Sequence, residues 1–208
     1  MLSLEFVAKE YNLQPVLDDI NLSLAKGESY SLTAPNGSGK TTLLQIMAGL
    51  TQPTRGRVLW DNQPFRVKMR GRIGVVLQQT FLYGDLTGTE NLSFYASLYG
   101  MKKPKQTADE WVKTVGLQDA SDVKVKEYSK GMKQRLSFAR ALLHQPELLL
   151  LDEPFDGLDA KGSTLFKELL AEVVRSGSTV FLVTHQGEDA AQMQHRLSLR
   201  YGRLVAAG

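Results

Sequence analysis

Two near-continuous apolar runs stand out, ELLLLDEP at residues 147–154 and STVFLVTH at residues 178–185. Short apolar runs bounded by polar residues are what parallel strands buried on both faces require. Between them, Ala160 to Arg175 carries apolar residues at helical spacing, so the three segments predict a βαβ unit with a right-handed crossover. Upstream, ESYSLTA (residues 28–34) predicts another strand, and KTTLLQIMAGL (residues 40–50) a helix with Leu43, Leu44, Met47 and Leu50 at helical spacing. Shorter alternating patterns predict strands within Leu2 to Leu24 and from Arg57 to Lys68, and RIGVVLQQ (residues 72–79) one more. From Thr87 to Leu143 the period becomes mostly helical, with TENLSFYASLY, KQTADEWVKTVG and KGMKQRLSFARALL as three amphipathic segments. The pattern predicts one continuous unit over residues 1–208 with a helical insert at about residues 80–143, closed by the strand pair HRLSLRYGRLVAAG.

Composition narrows the class. The chain is 42% hydrophobic and 23% charged, as in globular proteins, and no apolar run approaches the roughly 18 residues of a membrane span. The N-terminus lacks the basic start and apolar block of a secretion signal, and the absence of cysteine excludes disulfides and thiolate metal sites. The net charge of +3 is spread rather than concentrated, so no nucleic-acid partner is expected. The densest basic run, RVKMRGR (Arg66 to Arg72), reads as a solvated strand-turn edge, with a surface for anionic headgroups as the functional alternative.

The chemistry begins at APNGSGKTT, Ala34 to Thr42, in the turn between a predicted strand and a predicted helix. A phosphate-binding loop needs backbone N–H groups turned on an anion, a lysine for the outer phosphates and a hydroxyl for Mg²⁺. Gly37, Gly39, Lys40 and Thr41 stand where that chemistry wants them, and a helix N-terminus lies beneath. Ala34 replaces the usual first glycine; it precedes the phosphate-wrapping residues, and Pro35 biases it to an extended conformation that alanine tolerates. The run ELLLLDEP ends on Asp152 and Glu153, placing two carboxylates at the strand edge where ligands of open α/β sheets bind. The first can hold Mg²⁺ and the second can orient or deprotonate an attacking water.

Together these residues resemble the ATP-binding cassette ATPases, the nucleotide-binding subunits of ABC transporters, over essentially the whole chain. The resemblance implies an α/β P-loop NTPase fold of the ABC-ATPase type: a mainly parallel core sheet, an antiparallel β subdomain and a helical insert. Tyr11 resembles the aromatic that stacks on adenine, and Asn36, Gly37, Ser38, Gly39, Lys40, Thr41 and Thr42 the residues that hold ATP. Gln78 in VVLQQT resembles the glutamine that touches Mg²⁺ and the attacking water, with Gln79 as its neighbouring alternative. YSKGMKQR resembles the family signature, retaining Ser129 and Gly131 and departing from it at Lys130 and Met132. DGLD resembles the loop that touches the opposite subunit through Asp159, and His185 the histidine that contacts the γ-phosphate.

What the resemblance implies is an ATPase using ATP and Mg²⁺, with Glu153, His185 and Gln78 catalytic and Thr41, Gln78 and Asp152 at the metal. Two cassettes, identical or paired, would sandwich ATP head to tail, with Ser129, Gly131 and Asp159 acting across the interface. The implied partners are integral membrane subunits, docked near Phe81, Leu82 and Tyr83, and the implied location is the cytoplasmic face of the cell membrane. The YSKGM signature resembles exporter subunits, and the short C-terminus the haem-exporter subunit of cytochrome c maturation. A guanine-reading NKxD is absent, which excludes a GTPase. The alternative is a soluble cassette ATPase acting on ribosomes or DNA, whose usual second cassette or coiled coil this chain has no room for.

Overall fold

In the computed structural model, which describes residues 1–185 and 187–206, the elements follow in this order. Strands β1 (Leu2–Tyr11), β2 (Gln14–Ser23) and β3 (Ser29–Thr33) lead into helix α1 (Lys40–Met47), then β4 (Arg55–Trp60), β5 (Gln63–Pro64) and β6 (Ile73–Val76). Helices α2 (Gly88–Leu98), α3 (Pro104–Thr114) and α4 (Lys130–Leu142) come next, followed by β7 (Leu148–Asp152), α5 (Ala160–Arg175), β8 (Thr179–Val183), α6 (Gly187–Ala191), β9 (His195–Arg200) and β10 (Arg203–Ala206).

Two sheets result. The larger runs β10-β9-β3-β8-β7-β6; its five strands from β9 to β6 are parallel and β10 pairs antiparallel to β9 at the edge. The smaller, β2-β1-β4-β5, is antiparallel. Its tight turns at Asn12–Leu13 and Asp61–Asn62, and the β9–β10 turn at Tyr201–Gly202, all hold both central residues at positive φ, as two-residue hairpins of the favoured twist require.

The alternation of a strand explains how one leucine run serves two cores. Leu148 and Leu150 pack with Leu32, Leu43, Leu44 and Phe181 on the face covered by α1 and the smaller sheet. Leu149 and Leu151 pack with Phe138, Phe166 and Leu182 on the face covered by α4 and α5. Asp152 continues the first set, so the period of two delivers its carboxylate to the α1 side. A third cluster, including Leu92, Val112, Leu117, Tyr128 and Leu136, sits within the helical segment.

Three sequence expectations change. α1 stops at Met47 because Gly49 turns the chain at φ 68°, with Leu50 N–H returning to the Gln45 carbonyl; Leu50 is therefore outside the helix and 46% exposed. The strand expected over Arg57 to Lys68 breaks at the Asp61–Asn62 turn, and Val67–Arg72 forms a 3₁₀ helix. Within that basic run, Arg70 donates to the Gly49 carbonyl, while Arg72 pairs with Glu147 at 2.6 Å and lies over the Trp60 ring. Those two cations are spent on the protein itself, so the structural reading of the run holds for them.

Candidate nucleotide site

The parallel strands deliver the site at their C-terminal edge, the position where open α/β sheets bind ligands. The phosphate loop follows β3, Gln78 follows β6, Asp152 and Glu153 end β7, and His185 follows β8. In the loop, Gly37 (φ 75°) and Gly39 (φ 98°) take left-handed conformations, and Gly39 also lies where a Cβ would stand 2.9 Å from Leu17 and 3.0 Å from the Val16 carbonyl. Ala34 is not among the positive-φ residues, which is why alanine serves there.

Lys40 opens α1, nearly buried, and donates to the Ala34 carbonyl at 2.8 Å and the Pro35 carbonyl at 3.0 Å. An ammonium held only by two neutral acceptors is available to an anion on the loop. Thr41 donates its hydroxyl to Asp152 Oδ2 at 3.0 Å. Asp152 is 2% exposed, and its Oδ1 is buried without a hydrogen-bond partner, as is the Ser38 hydroxyl. Burial pushes the Asp152 carboxyl above its ordinary range, and the neighbouring Glu153 charge adds to this, while the Thr41 hydrogen bond and Lys40 oppose it.

The next residue meets a different environment. Glu153 sits at φ 48°, an uncommon conformation for a non-glycine residue. Its N–H donates to the Val183 carbonyl at 2.9 Å, and its Oε2 lies 2.8 Å from His185 Nδ1 and accepts from the His185 N–H at 3.2 Å. The cleft beside this pair, about 570 Å³, is lined by Gln78, Thr80, Lys130, Gln134, Asp152 and Glu153 among others. Gln78, rather than Gln79, therefore shares a cleft with both carboxylates.

The remaining expected residues stand apart. Thr42 lies in the first turn of α1. Asn36 lines a second cleft, of about 800 Å³, with Gly37, Ser38 and His185. Tyr11 ends β1, 44% exposed with the Lys9 ammonium 4.9 Å from its ring centre, and lines neither cleft. Ser129 caps α4 by accepting from the Met132 N–H at 3.2 Å, and Asp159 caps α5 by accepting from the Gly162 N–H at 2.7 Å. Gly131 is needed for a close approach, since a Cβ there would stand 2.7 Å from the Gly157 carbonyl.

Sequence reasoning missed the partner of Lys130, the residue that departs from the signature. Its ammonium pairs with Asp156 at 2.6 Å, and its stem covers Gly157, so the signature turn is tied to the loop leading into α5. Asp156 is held below the usual carboxylate range by that hydrogen bond. Both groups are exposed, which limits the pair to about 0–1 kcal/mol. No pattern in the sequence links positions 26 apart in this way.

Fold and site together define a nucleotide-binding cassette of the P-loop class, and the comparisons with known proteins agree. The family model for ABC transporter proteins matches residues 17–156. The chain is 36% identical over 208 residues to the Nod factor export ATP-binding protein I of Paraburkholderia xenovorans (strain LB400), covering 97% of this chain and 68% of that protein. It is 33% identical over 214 residues to the linearmycin resistance ATP-binding protein LnrL of Bacillus subtilis (strain 168), covering 100% and 69%. Among solved structures it resembles a dimeric ATP-binding cassette in a post-hydrolysis state bound to ADP and Pi, with a TM-score of 0.91 and 30% identity over 100% of both chains. The chain belongs to the ABC transporter family as an ATP-binding subunit, and it is an ATPase with the ABC ATPase fold.

Proposed function

We propose that this chain is the ATP-hydrolysing motor of an exporter, closing on ATP as a head-to-tail pair of cassettes and driving separate membrane subunits. The observation that carries the reading is the convergence, at one sheet edge, of the phosphate loop, the half-satisfied Asp152 and the Glu153–His185 pair.

The donor set fits Mg²⁺. The Thr41 hydroxyl, the unsatisfied Asp152 oxygen and the Gln78 amide oxygen are all hard donors, and Mg²⁺ takes few protein ligands beside water and substrate phosphates. Among the described residues no cluster of three or more His, Cys, Asp or Glu is built to hold a metal alone, in keeping with a cation that arrives with its nucleotide. When bound, the ion neutralises phosphate charge in the transition state. Lys40 moves from the Ala34 and Pro35 carbonyls to the outer phosphates, Gln78 orients water, and Glu153 accepts the proton of that water as its oxygen attacks the γ-phosphorus, the bond to the β,γ-bridging oxygen breaks and ADP leaves. His185 fixes the Glu153 carboxylate and reaches the γ-phosphate.

Ser129, Gly131 and Asp159 hydrogen-bond to none of these groups within the described residues, which supports their acting on the nucleotide of a second copy. The helical insert, residues 80–143, supplies the membrane-subunit dock: Phe81 and Tyr83 are 36% and 48% exposed, and Tyr83 packs edge-on to the exposed Phe94 at 5.1 Å. The family resemblance supports a peripheral position for the subunit, on the cytoplasmic face of the membrane; no helix among the described residues is long and apolar enough to cross a membrane. Export as the direction is supported by the names of relatives such as the Nod factor export protein. The narrower cargo, haem, rests on the resemblance among short exporter cassettes alone, and neither the Nod factor nor the linearmycin relative is named for haem. Copurification of membrane subunits with the tagged chain identifies the cargo class.

The test of the motor is Glu153→Gln. It should bind ATP normally, hydrolyse it about 10²–10⁴-fold more slowly and elute as an ATP-bound dimer. A Glu153→Gln protein that hydrolyses ATP at the wild-type rate removes Glu153 from the role of base.

A further inference from the structure

Four of the five parallel strands lead into the hydrolytic machinery, β3 at the phosphate loop, β6 at Gln78, β7 at Asp152–Glu153 and β8 at His185. The fifth, β9, ends beside the phosphate loop on Arg200 and Tyr201, which play no part in that chemistry. Register explains the placement. β9 pairs in parallel with β3, Thr33 opposite Ser198, so two residues further along β9 stand level with the start of the loop. Leu199 points into the core, fully buried, which turns Ser198 and Arg200 to the other face. There, Arg200, Tyr201 and Gly202 line the 800 Å³ cleft together with Val16, Pro35, Asn36, Ser38 and others.

The turn is firmly held although its side chains are not. Gly202 gives its carbonyl to the Asp18 N–H at 2.8 Å, a Cβ at Gly202 would stand 2.9 Å from the Val16 carbonyl, and Arg203 pairs with Asp18 at 2.7 Å. Tyr201, by contrast, is 99% exposed at φ 51°, a conformation that disfavours a bulky side chain. Arg200 is exposed and has no ion pair among the described residues. The Ser38 hydroxyl, buried in the same wall, has no partner. A rigid turn that presents an idle aromatic ring and an idle cation over a phosphate loop fits a ligand with an anionic chain and a flat ring.

We infer that Arg200 and Tyr201 form the nucleoside-side wall of the ATP site, Tyr201 lying against the base and Arg200 serving the phosphate chain. The inference rests on the ATPase reading and adds to it residues that the phosphate-loop pattern does not reach. It also gives the base an aromatic neighbour other than Tyr11, which lines neither cleft.

Calorimetric titration of the full chain with Mg²⁺–ATP and with inorganic tripolyphosphate tests this. Tyr201→Ala should weaken ATP by about five- to tenfold, the scale of one base–aromatic stack, and leave tripolyphosphate unchanged. Arg200→Gln should weaken both ligands about equally. Tyr11→Ala run alongside shows whether the base uses that ring as well. Unchanged ATP affinity in Tyr201→Ala overturns the inference, and so does an equal loss for both ligands in that variant. If ATP affinity is unchanged but the ATP-bound dimer of Glu153→Gln is lost, the turn serves a second copy and the inference is likewise overturned. A wild-type chain that binds neither ligand sinks the ATPase reading instead, whereas a Lys40→Ala variant that binds both ligands as tightly as the wild type moves them off the phosphate loop and overturns the inference.

Discussion

His144 is a titratable ring with nothing to hold its proton, and its replacement should change how the fold responds to acid. It follows α4 and stacks on Tyr99 with ring centres 4.0 Å apart and planes 16° apart. Both ring nitrogens are buried without a hydrogen-bond partner. Burial lowers its pKa from the ordinary 6.5 to about 4, and the Arg140 cation lowers it further, while the Ile73 backbone opposes the shift without completing a hydrogen bond. The folded pKa of this base is depressed, so between about pH 6.5 and pH 4 the unfolded chain holds more protons than the folded one. Stability is thus complete above the unfolded pKa and is lost as pH falls. From pH 6.5 to pH 5 the difference accumulates over about 1.5 units at about 1.4 kcal/mol each, or about 2 kcal/mol. His144→Phe keeps the stacked ring and deletes the two orphaned nitrogens. The variant should be at least as stable as the wild type at pH 7, because it removes two buried nitrogens that have no partner. At pH 5 its margin over the wild type should widen by about 2 kcal/mol, or about 4–8 °C in melting temperature for a chain of this size. Urea denaturation of both proteins at the two pH values measures this, and parallel pH dependences would refute the argument.

The site makes further predictions. Lys40→Ala removes the cation that donates to the Ala34 and Pro35 carbonyls of the phosphate loop and should weaken ATP by about 10- to 100-fold in a binding titration, with the fold intact by circular dichroism. Asp152→Asn replaces a buried anion whose second oxygen has no partner; the nucleotide-free chain should melt about 2–4 °C higher, while the extra stabilisation that Mg²⁺ adds to ATP disappears from the same melting assay. Ser129→Arg loses the α4 cap at about 1 kcal/mol and should leave monomeric ATP binding unchanged, yet it should abolish the Glu153→Gln dimer on a sizing column.

Much of this was legible in the chain because its signals are local. The leucine run, the glycines of the loop and the Asp–Glu pair each announce themselves within about ten residues, and α4 and α5 fall within about one residue of their expected ends. Elements that depend on one backbone angle were not legible in the same way. Gly49 ends α1 before Leu50, and the Asp61–Asn62 turn splits a stretch whose composition reads as one strand. Nor could the sequence show which residues a strand's register would bring to the site. Thr41 and Asp152 are 111 positions apart and meet because residue 152 shares a face with Leu148 and Leu150. Arg200 reaches the loop only because β9 inserts beside β3.

The same reasoning explains how the two ends of α4 serve different parts of the machine. Its first residue follows Ser129, on the signature side, and thirteen helical residues carry the chain about 20 Å to its other end. There, Arg140, 7% exposed, donates to the Val75 carbonyl and lies over the rings of Phe81 and Tyr95, while Tyr95 donates to the Phe81 carbonyl and the Ser137 hydroxyl to that of Thr80. The chain just beyond Gln78 is therefore pinned to the signature helix by these contacts. The Val75 carbonyl and the two rings are what compensate the buried guanidinium among the described residues, and pulling the segment away from α4 breaks those contacts, so segment and helix shift together. If Ser129 acts on a second cassette as proposed, a shift of that end of α4 would be carried along the helix to Thr80 and Phe81, just beyond the glutamine that shares a cleft with Asp152 and Glu153.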